Sequence, residues 1–323
     1  MNQTVNVIPR GLLLHSPERS ACVVPAARAA AYLLFFVLLF IIVPSLARSI
    51  NPSLNRLDAA LTTYTTVSRT APLVWSKAVS EKPPKFYFPN PMRPYMVRLK
   101  NSFHIQEMTA AAKSDLERAK LICDWVHHQW KHKGFCPVQK NDPIAILEAA
   151  KNGSEFSCYE YSLVAAGCLN CIGIKSRTVV LLPRNVERNT DGNYHVVTEA
   201  FLNDEKKWVM VDAQFNAVPT LNKRPLNLVE LQYALAERLK GVEFGNLNQE
   251  MGVIYSTDLL NYLHFFYTPL DNRVVGATAP DNVKGGVMLV PLGERAPRSF
   301  AQAPIGKFRV TNALYDFYQK DQQ

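Results

Sequence analysis

Apolar residues repeat at helical spacing in the middle of the chain. Ser114 is followed three residues later by Glu117, a capping-box pattern that is typical of a helix N-terminus. The apolar residues that follow recur every three or four positions: Leu116, Ala119, Cys123, Val126 and Trp130. This pattern predicts an amphipathic helix whose buried stripe includes Cys123.

Beyond this helix the pattern predicts one more helix and then strands. The second helix is predicted over residues 158–170 and ends before Gly173. Strands are predicted over residues 178–182, 194–202 and 207–213, followed by a mostly helical region at 221–265 and by short strands and turns. Helices that lead into antiparallel strands indicate an α+β fold.

The most apolar stretch lies near the N-terminus. Residues 29–47 are 19 positions without a charge, and a helix of that length rises about 28 Å, close to the thickness of a bilayer core at about 30 Å. We expect a transmembrane anchor or a secretory signal cleaved after Ala47, and the sequence leaves both open. Arg10, Arg19 and Arg28 precede the stretch, so residues 1–28 are expected to be a cytoplasmic tail. The rest is then expected outside the cytoplasm, on a single-pass membrane protein or as a secreted one.

Prolines mark the next boundary. Five of them fall between positions 83 and 94, where neither a helix interior nor a central strand tolerates them. We therefore expect a partly helical stem and a proline-rich linker over 48–95, a central domain over 96–240 and a C-terminal extension over 241–323 packed on it.

The distribution of charge along the chain indicates which kinds of binding partner to expect. The net charge of the 323-residue chain is +9, but lysine and arginine are spread along it and no nucleic-acid-binding motif occurs. We expect no nucleic-acid partner. A solvated basic surface of this kind suits the anionic surface of a cell envelope.

Cysteines supply the candidate chemistry. Cys158 opens the second predicted helix, where unpaired backbone N–H groups and the helix dipole favour a thiolate. Cys168 and Cys171 match C-x-x-C, yet they fall at the end of that helix on its apolar stripe, which favours a packing role. Weaker alternatives are a metal or redox site at these two, a zinc site using Cys123, His127, His128 and His132, and a Cys123–Cys136 disulfide.

A base for Cys158 is predicted on the strands. In the stretch "YHVVTEAF", His195 shares a strand face with Glu199, and in "KWVMVDA" Asp212 shares one with Trp208. A two-residue loop between these strands would set His195 directly opposite Asp212. A four-residue loop would keep both on one face as diagonal neighbours. We therefore expect His195 to lie next to Asp212 whichever loop length is correct.

Together these segments resemble the core of the transglutaminase-like superfamily. The resemblance covers about residues 96–240 and rests on Cys158 opening a helix, the strand entry Gly173-Ile174-x-x-Arg177, His195 on a strand and Asp212 after an aromatic strand. It implies a papain-like fold with Cys158, His195 and Asp212 as a catalytic triad, needing neither cofactor nor metal.

The same resemblance implies thiol-dependent acyl transfer on amide bonds of a protein or peptide substrate. Because the domain is expected outside the cytoplasm, that substrate would lie in the cell envelope. The enzyme would be a cysteine peptidase or amidase, or a transglutaminase. It also implies a side-chain donor to the oxyanion upstream of Cys158, at Trp130 or Gln139. An inactive binding module or envelope adaptor on the same fold is the alternative.

Overall fold

The computed structural model describes residues 71–134, 142–188, 194–273, 285–300 and 303–319, all within the unit Arg56–Gln323. The expected tail, the apolar segment 29–47, Cys136 and Gln139 lie outside the described residues. Within the described ranges, no helix is both long enough and apolar enough to cross a membrane.

Five helices come first in the described part of the chain. They are α1 (Pro94–Ser102), α2 (Ile105–Thr109), α3 (Asp115–His127), α4 (Pro143–Lys151) and α5 (Cys158–Cys171). The predicted cap of α3 is confirmed, since the Glu117 N–H donates to Ser114 Oγ at 3.1 Å. The helix ends at His127, so Trp130 follows it rather than completing its stripe. Gly173 has a φ of +88°, which lets the chain leave α5 as predicted.

Nine strands follow in the described residues and form two sheets. In chain order they are β1 (Ser176–Leu182), β2 (His195–Leu202), β3 (Lys207–Val211), β4 (Ala217–Leu221), β5 (Arg224–Pro225), β6 (Val242–Gly245), β7 (Phe265–Pro269), β8 (Gly286–Leu289) and β9 (Phe308–Thr311). The large sheet has the order β3-β2-β1-β7-β8-β9, with β8 and β9 parallel and every other pair antiparallel. The small sheet has the order β5-β4-β6. Three further helices are α6 (Leu228–Ala236), α7 (Gln249–Leu260) and α8 (Leu314–Tyr318). The α+β prediction is confirmed.

The prediction of a mostly helical region at 221–265 was only partly right. Helices α6 and α7 lie there, but β6 separates them and the hairpin β4–β5 precedes them. Asn222 and Lys223 turn this hairpin with positive φ angles of 50° and 68°, the geometry of a type I′ turn. Strands β4 and β5 were not predicted because they contain Pro219 and Pro225, and proline usually argues against strand pairing.

Residues 71–93 are not a helical stem or a free linker. They are extended, and Ser76 pairs with the backbone at Ala313 while Trp75 packs against Phe266. Gln232, which is fully buried, accepts a hydrogen bond from Leu73 N at 3.0 Å and donates to Ala71 O at 3.3 Å. This segment is therefore part of the folded domain.

The C-terminal extension is likewise integral to the fold. Its strand β7 pairs directly with β1, so the large sheet is incomplete without residues beyond 241. Its last helix covers a buried ion pair, in which Arg177 Nη2 donates to Glu199 Oε2 at 2.8 Å with both side chains fully buried. Arg177 also donates to Phe317 O at 2.6 Å. This arginine therefore ties the C-terminal helix to strand β1.

Candidate active site

Cys158 is the first residue of α5. The Glu160 carboxylate accepts hydrogen bonds from Ser157 N at 2.9 Å and Ser157 Oγ at 2.6 Å, which fixes the entry into the helix. One turn further on, Ser162 donates to Val197 O on β2 at 2.7 Å. These contacts hold the N-terminus of α5 against the start of β2. The Cys158 side chain is thereby placed beside His195.

His195 connects the thiol to a carboxylate. Its Nε2 lies 2.6 Å from Asp212 Oδ2. Cys158 lies close enough to the ring to help raise the pKa of His195. Since Nε2 is occupied by Asp212, Nδ1 is the ring nitrogen left for Cys158. The structure thus brings together all three residues that the sequence singled out, in the order Cys158, His195, Asp212.

The strand register explains the pairing. Thr198 lies opposite Val211 across β2 and β3, and residues 203–206 form a four-residue turn. His195 and Asp212 are therefore diagonal neighbours rather than direct partners, the second of the two registers predicted. Asp212 itself comes just after β3 and pairs with Ala217 to close the following turn.

Three further groups bind the Asp212 carboxylate. Tyr255 OH donates to Oδ2 at 2.7 Å, while Gln214 N and Phe215 N donate to Oδ1 at 3.1 and 3.3 Å. Asp212 is 1% exposed, so these donors stabilise a charge that burial would otherwise make costly. Tyr255 was missed from the sequence, because it lies on α7 and no local pattern links that helix to the triad.

These contacts favour a charged histidine. Burial acts to lower the pKa of His195, but the charge and hydrogen bond of Asp212 and the neighbouring Cys158 outweigh it and raise the pKa to about 10. The imidazolium form therefore persists at neutral pH. A cation beside Cys158 is what an activated cysteine requires.

The other described cysteines are placed as packing residues with free thiols. Burial raises the pKa of Cys123 and of Cys168 well above the ordinary value, and that of Cys171 to about 12. Cys171 Sγ lies 3.0 Å from Cys168 O within the helix. His127 donates from Nδ1 to Ala213 O and Gln214 O at 3.2 and 3.0 Å, which anchors the turn after Asp212. In the described ranges, no group of three or more side chains is arranged to hold a metal.

The triad opens into a cleft of about 980 Å³. Cys158 and His195 line it, with walls from the N-terminal segment at Ala71–Leu73, from the end of α7 and the turn after it, and from Glu294. Phe215 and Tyr262 flank the His195 ring at centroid distances of 5.6 and 6.2 Å. Most of the walls thus come from segments distant in sequence from Cys158.

The predicted oxyanion donor Trp130 does not line this cleft. Its indole packs in the core against Phe156 and Tyr161, with centroid distances of 5.5 and 4.5 Å. Two residues later His132 does line the cleft, and the sequence patterns gave no signal for it beyond a weak metal-ligand spacing.

Comparisons with known proteins bear on residues 104–213, which match the family model of the transglutaminase-like superfamily. No curated protein sequence matches the chain. A protein from Cytophaga hutchinsonii proposed to be a cysteine protease is similar in structure, with 12% identity, a TM-score of 0.31, and coverage of 39% of this chain and 40% of that one. Red sea bream transglutaminase has 14% identity, a TM-score of 0.29, and coverage of 51% and 30%. A protein from Parabacteroides distasonis proposed to be a protease has 17% identity, a TM-score of 0.26, and coverage of 42% and 31%.

The chain thus spans less than half the length of each of these solved structures. The sequence match covers Cys158, His195 and Asp212 together with helices α2 to α4. Residues 104–213 of this chain form a transglutaminase-like domain.

Proposed function

We propose that this protein is a thiol-dependent acyltransferase or hydrolase that acts on amide bonds of proteins or peptides. The observation that supports this most strongly is the chain of contacts from Cys158 through His195 to Asp212, in a cleft wide enough for a polypeptide side chain. A nucleophile, a charged imidazole and a buried carboxylate in this order are the parts that acyl transfer requires.

Each residue of the triad has a defined part in the proposed reaction. The Cys158 thiolate attacks the carboxamide carbon, and the backbone N–H of Cys158, at a helix N-terminus, faces the developing oxyanion. His195 donates its proton to the departing amine, which leaves a thioester on Cys158. Water or a second amine then attacks the thioester, with His195 taking back a proton. Asp212 keeps the ring oriented and stabilises its charge throughout.

A thioester trap tests this function. The protein should form an acyl adduct on Cys158 when incubated with a glutamine-rich protein, and hydroxylamine should release it; intact-mass spectrometry detects both. Incorporation of a fluorescent primary amine into the substrate would indicate a transglutaminase, whereas cleaved fragments without incorporation would indicate a peptidase. Protein alkylated beforehand with iodoacetamide is the control. If neither adduct, crosslink nor cleavage depends on a free Cys158 across a broad panel of substrates, the inactive binding module replaces this proposal.

We also propose that the reaction takes place in the cell envelope. The support is the uncharged stretch at residues 29–47 with arginines before it, which is suited to an anchor or a secretory signal. A reporter enzyme that works only outside the cytoplasm, fused after residue 100, should be active, and the same reporter fused to a chain lacking residues 1–47 should not. A cytoplasmic reporter active at residue 100 in the complete chain would contradict this location.

A further inference from the structure

The proposed reaction needs a second donor to the oxyanion. The backbone N–H of Cys158 supplies one hydrogen bond, and removing one donor from such a site typically costs about 10²–10³ in rate. The indole N–H of Trp130, the sequence-based candidate among the described residues, is buried without a hydrogen-bond partner and does not line the cleft. The cleft has to supply another N–H or O–H group.

We propose that His132 is the side-chain donor that stabilises the oxyanion, an assignment that rests on the proposed acyl transfer. His132 pairs in a parallel bridge with Phe156, two residues before Cys158, and Lys133 N donates to Phe156 O at 3.0 Å. The His132 backbone therefore runs beside the segment that enters α5. His132 lines the same cleft as Cys158 and His195.

Backbone contacts hold the segment around His132 in this place. Trp130 is anchored in the core, and Tyr161 OH donates to its carbonyl oxygen at 2.7 Å. Residues 130–133 are thus tied to α5 at Tyr161 and to the strand-like segment before α5 at Phe156. A donor carried by a segment that is already in place needs less reorganisation when the oxyanion forms, which is the property that makes such groups effective.

The protonation state suits a donor rather than a base. Burial lowers the pKa of His132, the charge of His195 lowers it further, and Asp212 opposes the shift. His132 is then a neutral imidazole at pH 7, with one N–H available. A neutral histidine can polarise a carbonyl in this way without adding a second positive charge beside the His195 imidazolium.

Two tyrosines, Tyr194 and Tyr262, line the same cleft, and burial together with the charge of Cys158 raises the pKa of each. Tyr262 lies against the His195 ring, at a centroid distance of 6.2 Å. An oxyanion donor has to converge with the backbone N–H of Cys158, and the segment that carries His132 runs beside the entry to α5.

Three matched variants of the complete chain test the assignment: His132→Leu, Tyr194→Phe and Tyr262→Phe. Each removes one donor from the cleft. With a glutamine-containing peptide as acyl donor and hydroxylamine as acceptor, His132→Leu should lower kcat by roughly 10²–10³-fold with little change in KM. The two tyrosine variants should stay within about tenfold of the unmodified protein, and His132→Gln, which keeps an N–H donor, should recover part of the loss.

Alkylation of Cys158 by iodoacetamide distinguishes a donor from a structural residue. This reaction displaces iodide from a carbon and forms no oxyanion, so His132→Leu should keep the rate of the unmodified protein. A parallel loss of alkylation would show that His132 shapes the thiol itself and would overturn the assignment. Unchanged kcat in His132→Leu would also overturn it. No turnover by the unmodified protein would overturn the proposed function, and this assignment with it.

Discussion

Replacing Cys158 with alanine should abolish acyl transfer while leaving the fold intact. The side chain is the proposed nucleophile, and loss of a nucleophile in a triad lowers kcat by about 10⁴-fold or more, leaving only what binding and the oxyanion donors supply. Cys158 lines the cleft, so removing its Sγ creates no sealed cavity and stability should change little. Initial rates of hydroxylamine-dependent release, together with thermal unfolding of the same samples, measure both effects.

Cys168→Ala is the matched control, because it removes a thiol from the same helix at a fully buried position. It should lower the unfolding temperature and leave the rate per folded molecule unchanged. Iodoacetamide should label Cys158 well ahead of Cys123, Cys168 and Cys171, whose thiols burial keeps protonated. Retained turnover in Cys158→Ala, or equal labelling of all four cysteines in the folded protein, would contradict the triad.

Replacing Arg177 with methionine should destabilise the protein by about 3–5 kcal/mol, the usual cost of leaving one partner of a buried ion pair without the other. Glu199 would keep its bonds from Leu228 N at 3.2 Å and Tyr318 OH at 3.0 Å but lose its counter-charge. The guanidinium also lies 4.3 Å from the centre of the Phe317 ring and 4.4 Å from that of Trp208. Urea unfolding at neutral pH, followed by circular dichroism, measures the loss.

Two comparisons make this result specific. The double variant Arg177→Met with Glu199→Met should be more stable than Arg177→Met, because no uncompensated charge remains buried. Lys207→Met breaks the partly exposed pair with Glu230 at 2.9 Å and should cost at most about 1 kcal/mol. If Arg177→Met and Lys207→Met lowered the free energy of unfolding equally, the buried ion pair would stabilise the protein no more than the partly exposed one.

Local sequence patterns were sufficient for the helices and strands that carry the triad. The cap at Ser114, the helix that begins at Cys158 and the strands around His195 and Trp208 depend on neighbours within a few positions, and the structure has them close to the predicted bounds. The contact between His195 and Asp212 could also be predicted, because a change of two residues in the loop alters the register but not the strand face.

The structural features that were predicted wrongly depend on contacts between residues far apart in the chain. The hairpin β4–β5 was missed because its prolines resemble strand breakers, and only its pairing partners reveal it. The segment 71–93 looked like a linker for the same reason, since its hydrogen bonds go to Gln232 and to residues near 313. Isolated extended segments have no hydrophobic periodicity from which their hydrogen-bonding partners could be predicted.

By itself, the sequence determined which residue types could do the chemistry and on which elements they stand, because periodicity and capping are local properties of the chain. Tertiary structure decided what surrounds them. Tyr255 on α7 donates a hydrogen bond to Asp212. A backbone bridge to Phe156 places His132 at the cleft, and Arg177 donates to Phe317 O in the last helix. Each of these contacts spans at least 24 positions, and its existence depends on how α5, the sheet and the C-terminal strands pack, which no short window of sequence encodes.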